Sequence, residues 1–65
     1  MKSNSPQLRA LIGTFRRFGT EGPVYEVIDV GSSPSDETKM RVRVVESGEE
    51  LDYRLSDIIA DPKEF

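Results

Sequence analysis

The chain of 65 residues contains no cysteine, no histidine and no tryptophan. Without cysteine it cannot form a disulfide bond, and without cysteine and histidine it lacks the usual ligands of zinc, haem and iron–sulfur clusters. Catalysis by a cysteine or histidine side chain is excluded for the same reason. A chain this short also has no room for a deep cleft that would raise the pKa of a carboxylate. We therefore predict that the protein is not an enzyme and has no catalytic residue, cofactor or metal ion.

The sequence also lacks a long hydrophobic run. No apolar stretch approaches the roughly 20 residues that a membrane-spanning helix requires. The first residues, MKSNSPQL, contain no hydrophobic segment of the kind found in signal peptides. We therefore predict a cytoplasmic protein that has no membrane partner.

The charge and the length of the chain limit its class further. The formal net charge is −3, with 12 acidic and 9 basic residues. This balance argues against a general nucleic-acid or membrane-surface binder, although it permits a local basic patch. The length corresponds to one domain, and a domain this small buries only about 60% of its unfolded surface. We predict a disordered tail at residues 1–7, a single small β domain at residues 8–62, and a C-terminal tail at residues 63–65.

Apolar and polar residues alternate at positions 40–44 and again at positions 51–55. This period of two, interrupted by Ser47-Gly48, predicts a hairpin of two antiparallel strands. Both apolar sets must face one core, which requires a loop with an even number of residues. We favour the four residues 46–49, with Gly48 or Glu49 in the left-handed region, over a two-residue loop. The predicted pairs are Val44 with Leu51, Val42 with Tyr53, and Met40 with Leu55.

On the other face of this hairpin, the predicted register places Arg43 opposite Asp52. Such an exposed pair contributes about 0.2–1 kcal/mol. The same register places Arg41 beside Arg54. Two like charges in contact are mildly unfavourable unless an anionic group lies near them.

The segment before the second strand predicts one strand with a bend. Residues 8–18 carry apolar residues on both faces, and Gly13 lies in the middle of them. A glycine within a strand often marks a bulge or a bend, which would let the strand change sheets in a small barrel. The run from Leu8 to Ile12 could instead begin as a helical turn.

Three further segments complete the predicted fold. Residues 24–30 favour a strand that is apolar on both faces, as in a closed or two-layered sheet, and residues 31–39 favour a long polar loop. A short helical turn follows Leu55 and ends before Pro62. We therefore predict a mainly β fold: a small SH3-like, partly open barrel, or a bent antiparallel meander, with one short C-terminal helical turn.

Five stretches of the chain carry a resemblance to a known family. They are IGTFRRFG (12–19), GPVYEV (22–27), VRVVESGEE (42–50), DY (52–53) and DP (61–62). In order and spacing, over residues 11–62, they resemble a small bacterial family of single-domain proteins of unknown function, found mainly in proteobacteria. The resemblance implies no activity, cofactor, partner or functional residue. A weaker likeness to SH3-like barrels concerns the fold alone.

Arginines and aromatic residues form the candidate partner-binding surface. If the first strand lies at a sheet edge, the four side chains of FRRF, residues 15–18, cannot all be buried. An exposed Phe flanked by Arg is typical of interface anchors; alternatively, both Phe side chains belong to the core. An open strand edge can also accept a strand from a partner or from a second copy. The candidate residues are Phe15, Arg16, Arg17, Phe18, Tyr25, Arg41, Arg43, Tyr53 and Arg54.

These residues lead to two hypotheses about function. In the first, the protein is an interaction module or modulator of a larger, unidentified protein partner, and is a monomer or a homodimer formed through an edge strand. In the second, the arginines and aromatic rings bind nucleic acid, since small β-barrels hold single strands by stacking and by arginine–phosphate contacts. We favour the first hypothesis, because several acidic residues share the predicted hairpin with the arginines.

Overall fold

The computed structural model describes residues 6–31 and 37–64. These residues form two short helices and four strands. In chain order they are α1 (Pro6–Ala10), β1 (Phe15–Arg17), β2 (Val24–Val30), β3 (Lys39–Val44), β4 (Glu50–Arg54) and α2 (Leu55–Ala60). Neither helix in this part of the chain is long and apolar enough to cross a membrane. The predictions for residues 1–5, for residue 65 and for most of the loop 31–39 lie outside the described residues.

The four strands form one antiparallel sheet, in which each strand lies beside its neighbour in sequence, in the order β1-β2-β3-β4. The sheet is open, with β1 and β4 at its two ends, so the predicted mainly β fold is confirmed as an antiparallel meander. This strand order does not confirm the likeness to an SH3-like barrel. The predicted short C-terminal helix is also confirmed. It ends where Asp61 adopts an extended conformation (φ −77°, ψ 147°), immediately before Pro62.

The core lies on one face of the sheet, which we call the inner face. Its centre consists of fully buried side chains from β2, β3 and α2: Tyr25, Val27, Met40, Val42 and Ile58. Partly buried side chains pack around this centre: Leu8, Leu11, Ile12, Phe18, Val30, Leu51, Tyr53 and Leu55. Both helices therefore pack on the inner face. The opposite face, which we call the outer face, carries the residues that alternate with these along the strands.

The predicted single strand over residues 8–18 is wrong, whereas the alternative of a helical turn from Leu8 to Ile12 is confirmed. Its first part consists of α1 and the turn that follows, and only β1 pairs as a strand. Leu8, Leu11 and Ile12 are spaced as on one face of a helix and pack against the core. Gly13 then adopts a left-handed conformation (φ 90°). This glycine therefore marks the change from helical turn to strand and not a bulge within a strand.

A bulge does occur in β2, and it explains why this strand is apolar on both faces. The β2–β3 register shifts between Val27 and Asp29, which leaves Ile28 as an extra residue on β2. Val30 then pairs with Met40, whose side chain is buried in the core. The extra residue therefore returns Val30 to the same face as Val27. The apolar residues on both faces of this strand are thus compatible with an open sheet, although they favoured a closed or two-layered sheet.

The β3–β4 hairpin has the predicted faces but not the predicted register. Val42 pairs with Leu51 and Met40 pairs with Tyr53, so every predicted pair is shifted by two residues. A shift of two keeps each side chain on its face, because side chains along a strand alternate with a period of two. The apolar residues of both strands therefore still point to the core.

The loop of this hairpin explains the shift. It has the predicted length of four residues but spans residues 45–48, because the Val44 amide donates to the Glu49 carbonyl (2.8 Å) and closes the ladder there. Gly48 takes the last position of the loop with φ 78°. In the predicted loop, residues 46–49, Glu49 would occupy that left-handed position. The left-handed conformation costs a non-glycine residue roughly 1–2 kcal/mol.

Residues 62–64, which we call the strap, lie along the edge of β1. The Arg17 amide donates to the Pro62 carbonyl at 3.1 Å. The Glu64 amide donates to the Phe15 carbonyl at 3.0 Å, and an antiparallel bridge lies between these two hydrogen bonds. The edge of β1, which the sequence predicts to be open, is therefore covered by the chain itself.

The segments predicted as tails overlap with these elements. α1 begins at Pro6, within the segment 1–7. The strap includes the first two residues of the segment 63–65. Backbone pairing and helix therefore extend beyond residues 8–62 in both directions.

The two isoleucines of α2 provide a matched test of the core. Ile58 is fully buried, whereas Ile59 next to it is 64% exposed. Ile58→Ala is expected to lower the free energy of unfolding by about 2–4 kcal/mol, because it leaves a cavity in the core. Ile59→Ala is expected to change it by no more than about 0.5 kcal/mol. Urea unfolding followed by circular dichroism measures both values, and equal losses would contradict this placement of α2.

Candidate interaction surface

The structure divides the nine predicted partner-binding residues between the two faces of the sheet. Five belong to the outer face: Phe15, Arg17, Arg41, Arg43 and Arg54. Four belong to the inner face or pack against the core there: Arg16, Phe18, Tyr25 and Tyr53. The FRRF run is therefore split, because alternate side chains of a strand point to opposite faces.

The aromatic residues of the inner face meet at one carboxylate, that of Asp61, which directly follows α2. The Tyr25 and Tyr53 hydroxyls both donate to Asp61 Oδ2, at 2.8 Å and 3.2 Å. The Gly19 amide donates to Asp61 Oδ1 at 3.1 Å. We call Phe18, Tyr25, Tyr53 and Asp61 the Asp61 cluster. It connects the turn after β1 and the end of α2 to β2 and β4.

Ring packing completes the Asp61 cluster. The centroid of the Phe18 ring lies 4.3 Å from that of Tyr25 and 5.0 Å from that of Tyr53, and the centroids of the two tyrosine rings are 5.5 Å apart. Tyr53 meets both other rings edge to face, an arrangement that aromatic pairs prefer. Burial, and after it the Asp61 carboxylate, raises the pKa of the Tyr25 and Tyr53 hydroxyls above the ordinary value. These three aromatic residues therefore stabilise the fold.

Little in the local sequence distinguishes Asp61 as the acceptor of this cluster. It is one of 12 acidic residues in the chain. Its donors Tyr25 and Tyr53 lie 36 and 8 positions away. The available signal is its place directly before Pro62, where the last helical turn must end and the chain becomes extended.

Arg16 joins this group from β1. It pairs with Tyr25 in the β1–β2 ladder, and its Nη1 donates to the backbone carbonyl of Asp61 at 3.2 Å. Its buried Nε has no hydrogen-bond partner among the described residues. The guanidinium group of Arg16 therefore belongs to the inner face, and the other four predicted arginines belong to the outer face.

The outer face carries two rows of charged residues that cross the sheet, which we call the acid–arginine rows. In the first row, Arg43 of β3 lies between Glu26 of β2 and Glu50 of β4. Arg43 Nη2 forms an ion pair with Glu26 Oε1 at 3.2 Å. A guanidinium group thus lies between two carboxylates.

The second row has the same order of charges. Arg41 of β3 lies between Asp29 of β2 and Asp52 of β4. Arg41 Nη1 is 3.3 Å from Asp52 Oδ1, and Arg41 Nε is 3.6 Å from Glu50 Oε1, which joins the two rows. Four carboxylates therefore accompany two guanidinium groups, so the centre of the outer face is acidic.

The predicted outer-face pairs change with the register of the hairpin. Arg43 lies opposite Glu50 and not Asp52, and Asp52 lies opposite Arg41. The predicted contact between Arg41 and Arg54 is therefore wrong. The cause is the two-residue shift, which preserves the face of each side chain and changes its neighbour across the ladder.

Arg54 lies at the end of β4, opposite Lys39. Two carboxylates compensate for this pair of like charges. Arg54 Nε is 2.9 Å from Asp57, and Arg54 Nη1 is 3.5 Å from Glu37. Because all these groups are partly exposed, the ion pairs orient the side chains more than they stabilise the fold.

Arg17 lies at the edge of the sheet beside the strap. Its Nε and Nη2 donate to the two carboxylate oxygens of Glu64, at 3.0 Å and 3.2 Å, and its Nη1 donates to the Gly22 carbonyl at 2.9 Å. The hydrogen bonds from Arg17 lower the pKa of the Glu64 carboxyl group. Each of the five predicted arginines therefore has a carboxylate or a carbonyl partner within the chain.

One protein family matches the chain over its whole length. The model of DUF5397, a family of unknown function, matches residues 1–65. The chain belongs to DUF5397. No curated protein matches it. The family match confirms the predicted resemblance to a small domain of unknown function, whereas a bacterial origin and a likeness to SH3-like barrels stay predictions.

Two further features of the DUF5397 chain bear on binding. Within residues 6–31 and 37–64, no three acidic side chains come close enough together to hold a metal ion. An open hollow of about 410 Å³ lies between α2 and the residues before β3, lined by Glu37, Thr38, Leu55, Ser56 and Ile59. The outer face brings together five of the nine predicted residues, and it is therefore the candidate interaction surface.

The Asp61 cluster predicts an energetic coupling between residues that are far apart in the sequence. Asp61→Ala removes the acceptor of a buried hydroxyl and is expected to lower the free energy of unfolding by about 1–3 kcal/mol. Tyr25→Phe also lowers it. The double variant is expected to lose less than the sum of the two single losses, because both changes remove the same hydrogen bond. Urea unfolding of the four proteins in this double-mutant cycle measures the coupling.

Glu46→Ala is the matched control for this cycle. Glu46 is an exposed carboxylate of the loop between β3 and β4, so its removal is expected to cost no more than about 0.5 kcal/mol. Strictly additive losses for Asp61→Ala and Tyr25→Phe would show that the two side chains do not interact.

Stability is expected to fall as the pH rises above about 10, the ordinary pKa of tyrosine. There the unfolded chain releases its tyrosine protons, while the raised pKa of Tyr25 and Tyr53 keeps these groups protonated in the folded chain. The folded state then binds more protons than the unfolded state, so the free energy of unfolding decreases with pH. The chain has only two tyrosines, so the Tyr25→Phe/Tyr53→Phe variant should lose this decrease. Urea unfolding as a function of pH measures it, and tyrosinate absorbance appearing at the ordinary pKa in the folded protein would contradict it.

Proposed function

We propose that this DUF5397 chain is a cytoplasmic protein–protein interaction module and not an enzyme, and that its outer face binds the partner. The observation that supports this proposal is the asymmetry of the sheet. Both described helices pack on the inner face, whereas the side chains of Arg41 and Arg43 at the centre of the outer face are 44% and 45% exposed. A partner can therefore contact a defined pattern of charges without any change in the core.

The charge pattern of the outer face suits recognition of another protein. Ion pairs hold the guanidinium groups of Arg41 and Arg43 beside carboxylates of the acid–arginine rows. A complementary surface would place basic groups over the carboxylates and acidic groups over the arginines, which favours specificity and fast association. Phe15 and Val24, both half-buried, add apolar area beside the rows. Such a mixture of apolar and charged groups is common in protein interfaces.

The same pattern argues against nucleic acid as the partner. In the acid–arginine rows, four carboxylates outnumber two arginines. A phosphate group placed over either arginine would lie close to these carboxylates and would repel them. Phosphate contacts would therefore require that the existing ion pairs break, and breaking them opposes the binding that released counterions normally favour.

A charge swap in the first row tests the proposal. The Glu26→Arg/Arg43→Glu variant reverses an ion pair and keeps the net charge. The new carboxylate at position 43 lies opposite Glu50, so the free energy of unfolding is expected to fall by about 0.2–1 kcal/mol. The charges that a partner meets at positions 26 and 43 are exchanged. Tagged wild-type protein is expected to capture a stoichiometric protein partner from nuclease-treated lysate of its own host. The swapped variant is expected to lose that partner.

The Arg9→Glu/Glu46→Arg variant is the matched control. It exchanges two exposed charges that lie outside the four strands, so it keeps the net charge and is expected to capture the partner as well as the wild type does. Circular dichroism of both variants checks that they fold. Equal capture by the row variant would contradict the proposed surface. So would capture from untreated lysate of nucleic acid alone, with no protein captured after nuclease treatment.

A further inference from the structure

The strap pairs with β1 in the way that a strand from another protein would. Its backbone is hydrogen-bonded to the Arg17 amide and to the Phe15 carbonyl. Its Glu64 carboxylate receives a bidentate contact from the Arg17 guanidinium group, at 3.0 Å and 3.2 Å. The strap therefore shows which chemistry fits this edge: an extended backbone with a carboxylate beside Arg17.

The contacts that hold the strap are few and lie near solvent. Pro62 and Lys63 are exposed, and the Glu64 side chain is 25% exposed. The described hydrophobic core includes none of these three residues. An ion pair between partly exposed groups stabilises a fold only slightly. The strap is therefore expected to leave β1 at a low cost in free energy.

The residue before the strap is anchored by contacts other than those of the β1 backbone, including the Arg16 side chain, whose Nη1 donates to the Asp61 carbonyl at 3.2 Å. Asp61 is held by the hydroxyls of Tyr25 and Tyr53 and by the Gly19 amide. The strap can therefore separate from β1 while α2 and the core stay in place. Separation exposes the Arg17 amide at the strand edge and removes the carboxylate from the Arg17 guanidinium group.

We propose that the edge of β1 is a docking site for an extended, carboxylate-bearing segment of a partner protein, and that the strap occupies this site in the free protein. The incoming segment replaces the backbone hydrogen bonds of the strap by strand addition. Arg17 selects a segment with Asp or Glu at the position of Glu64, because a planar guanidinium group binds carboxylates in a bidentate manner. This site lies at the edge of the sheet, apart from the acid–arginine rows, and does not depend on the function proposed for the outer face.

A peptide titration of the full chain tests this proposal. The probe is a synthetic peptide with the strap sequence, proline–lysine–glutamate, between flanking threonines, and the matched peptide has glutamine in place of glutamate. Glu64→Lys places a like charge beside Arg17 and weakens the protein's own strap. This variant is expected to bind the probe about tenfold more tightly than the wild type, since its site is open in a larger fraction of molecules. Nuclear magnetic resonance is expected to show a shift of the Arg17 amide.

Three further variants separate the steps of this mechanism. Glu64→Gln is a milder change and is expected to tighten probe binding in the same direction by a smaller factor. Lys63→Ala is the matched control, because it removes an exposed strap side chain and is expected to keep the wild-type affinity. Arg17→Ala combined with Glu64→Lys is expected to abolish the preference for the glutamate peptide over the glutamine peptide.

Several results would overturn the proposal. They are equal affinity of the wild-type and Glu64→Lys proteins for the probe, no binding by either protein, no preference for the glutamate peptide, and shifts confined to the acid–arginine rows. Concentration-dependent dimerisation of the Glu64→Lys protein without peptide would assign the edge to a second copy of this chain. That result would overturn the assignment to a partner protein.

Discussion

The Asp61 carboxylate is the contact on which the rest of this small fold depends. It accepts hydrogen bonds from Tyr25 on β2, from Tyr53 on β4 and from Gly19 after β1. Without that acceptor, a fully buried hydroxyl would cost about 1–3 kcal/mol. A small domain has a total stability of roughly 5 kcal/mol, so this one contact supplies a large share of the free energy that keeps the sheet, the turn after β1 and α2 together.

The small size of the domain explains why the two faces of the sheet differ. A chain of 65 residues has little material with which to cover both faces, and an antiparallel sheet can leave one face in water. The inner face takes the buried aromatic and aliphatic side chains of the core, and the outer face takes the acid–arginine rows. Arginines and aromatic residues that are neighbours in sequence therefore lie on opposite faces. Those on the inner face stabilise the fold, and those on the outer face are available to a partner. The strap adds a second surface, at the edge of β1.

Local patterns predicted the fold class and the faces of the hairpin, but not its register. A shift of two residues leaves every side chain on its face, so the alternation at positions 40–44 and 51–55 is compatible with both registers. The hydrogen bond from the Val44 amide to the Glu49 carbonyl distinguishes them, because it makes the left-handed Gly48 the last residue of the loop. In β2, apolar residues on both faces suggested a closed sheet, whereas the bulge at Ile28 accounts for them in an open one. The sequence predicted which residues form the candidate surface, but not how these residues are distributed between the two faces of the sheet.

By itself, the sequence determined that the fold is mainly β, that one face of the hairpin is apolar, and that the last helix ends before Pro62. These properties follow from the periods of strands and helices and from the covalent geometry of proline, which act between neighbouring residues. The tertiary structure alone decided that Asp61 joins the tyrosines and that Glu64 meets Arg17. Tyr25 and Asp61 are 36 positions apart, and Arg17 and Glu64 are 47 positions apart. No periodic pattern in the sequence specifies such contacts, because they form only when the folded sheet brings distant segments of the chain together.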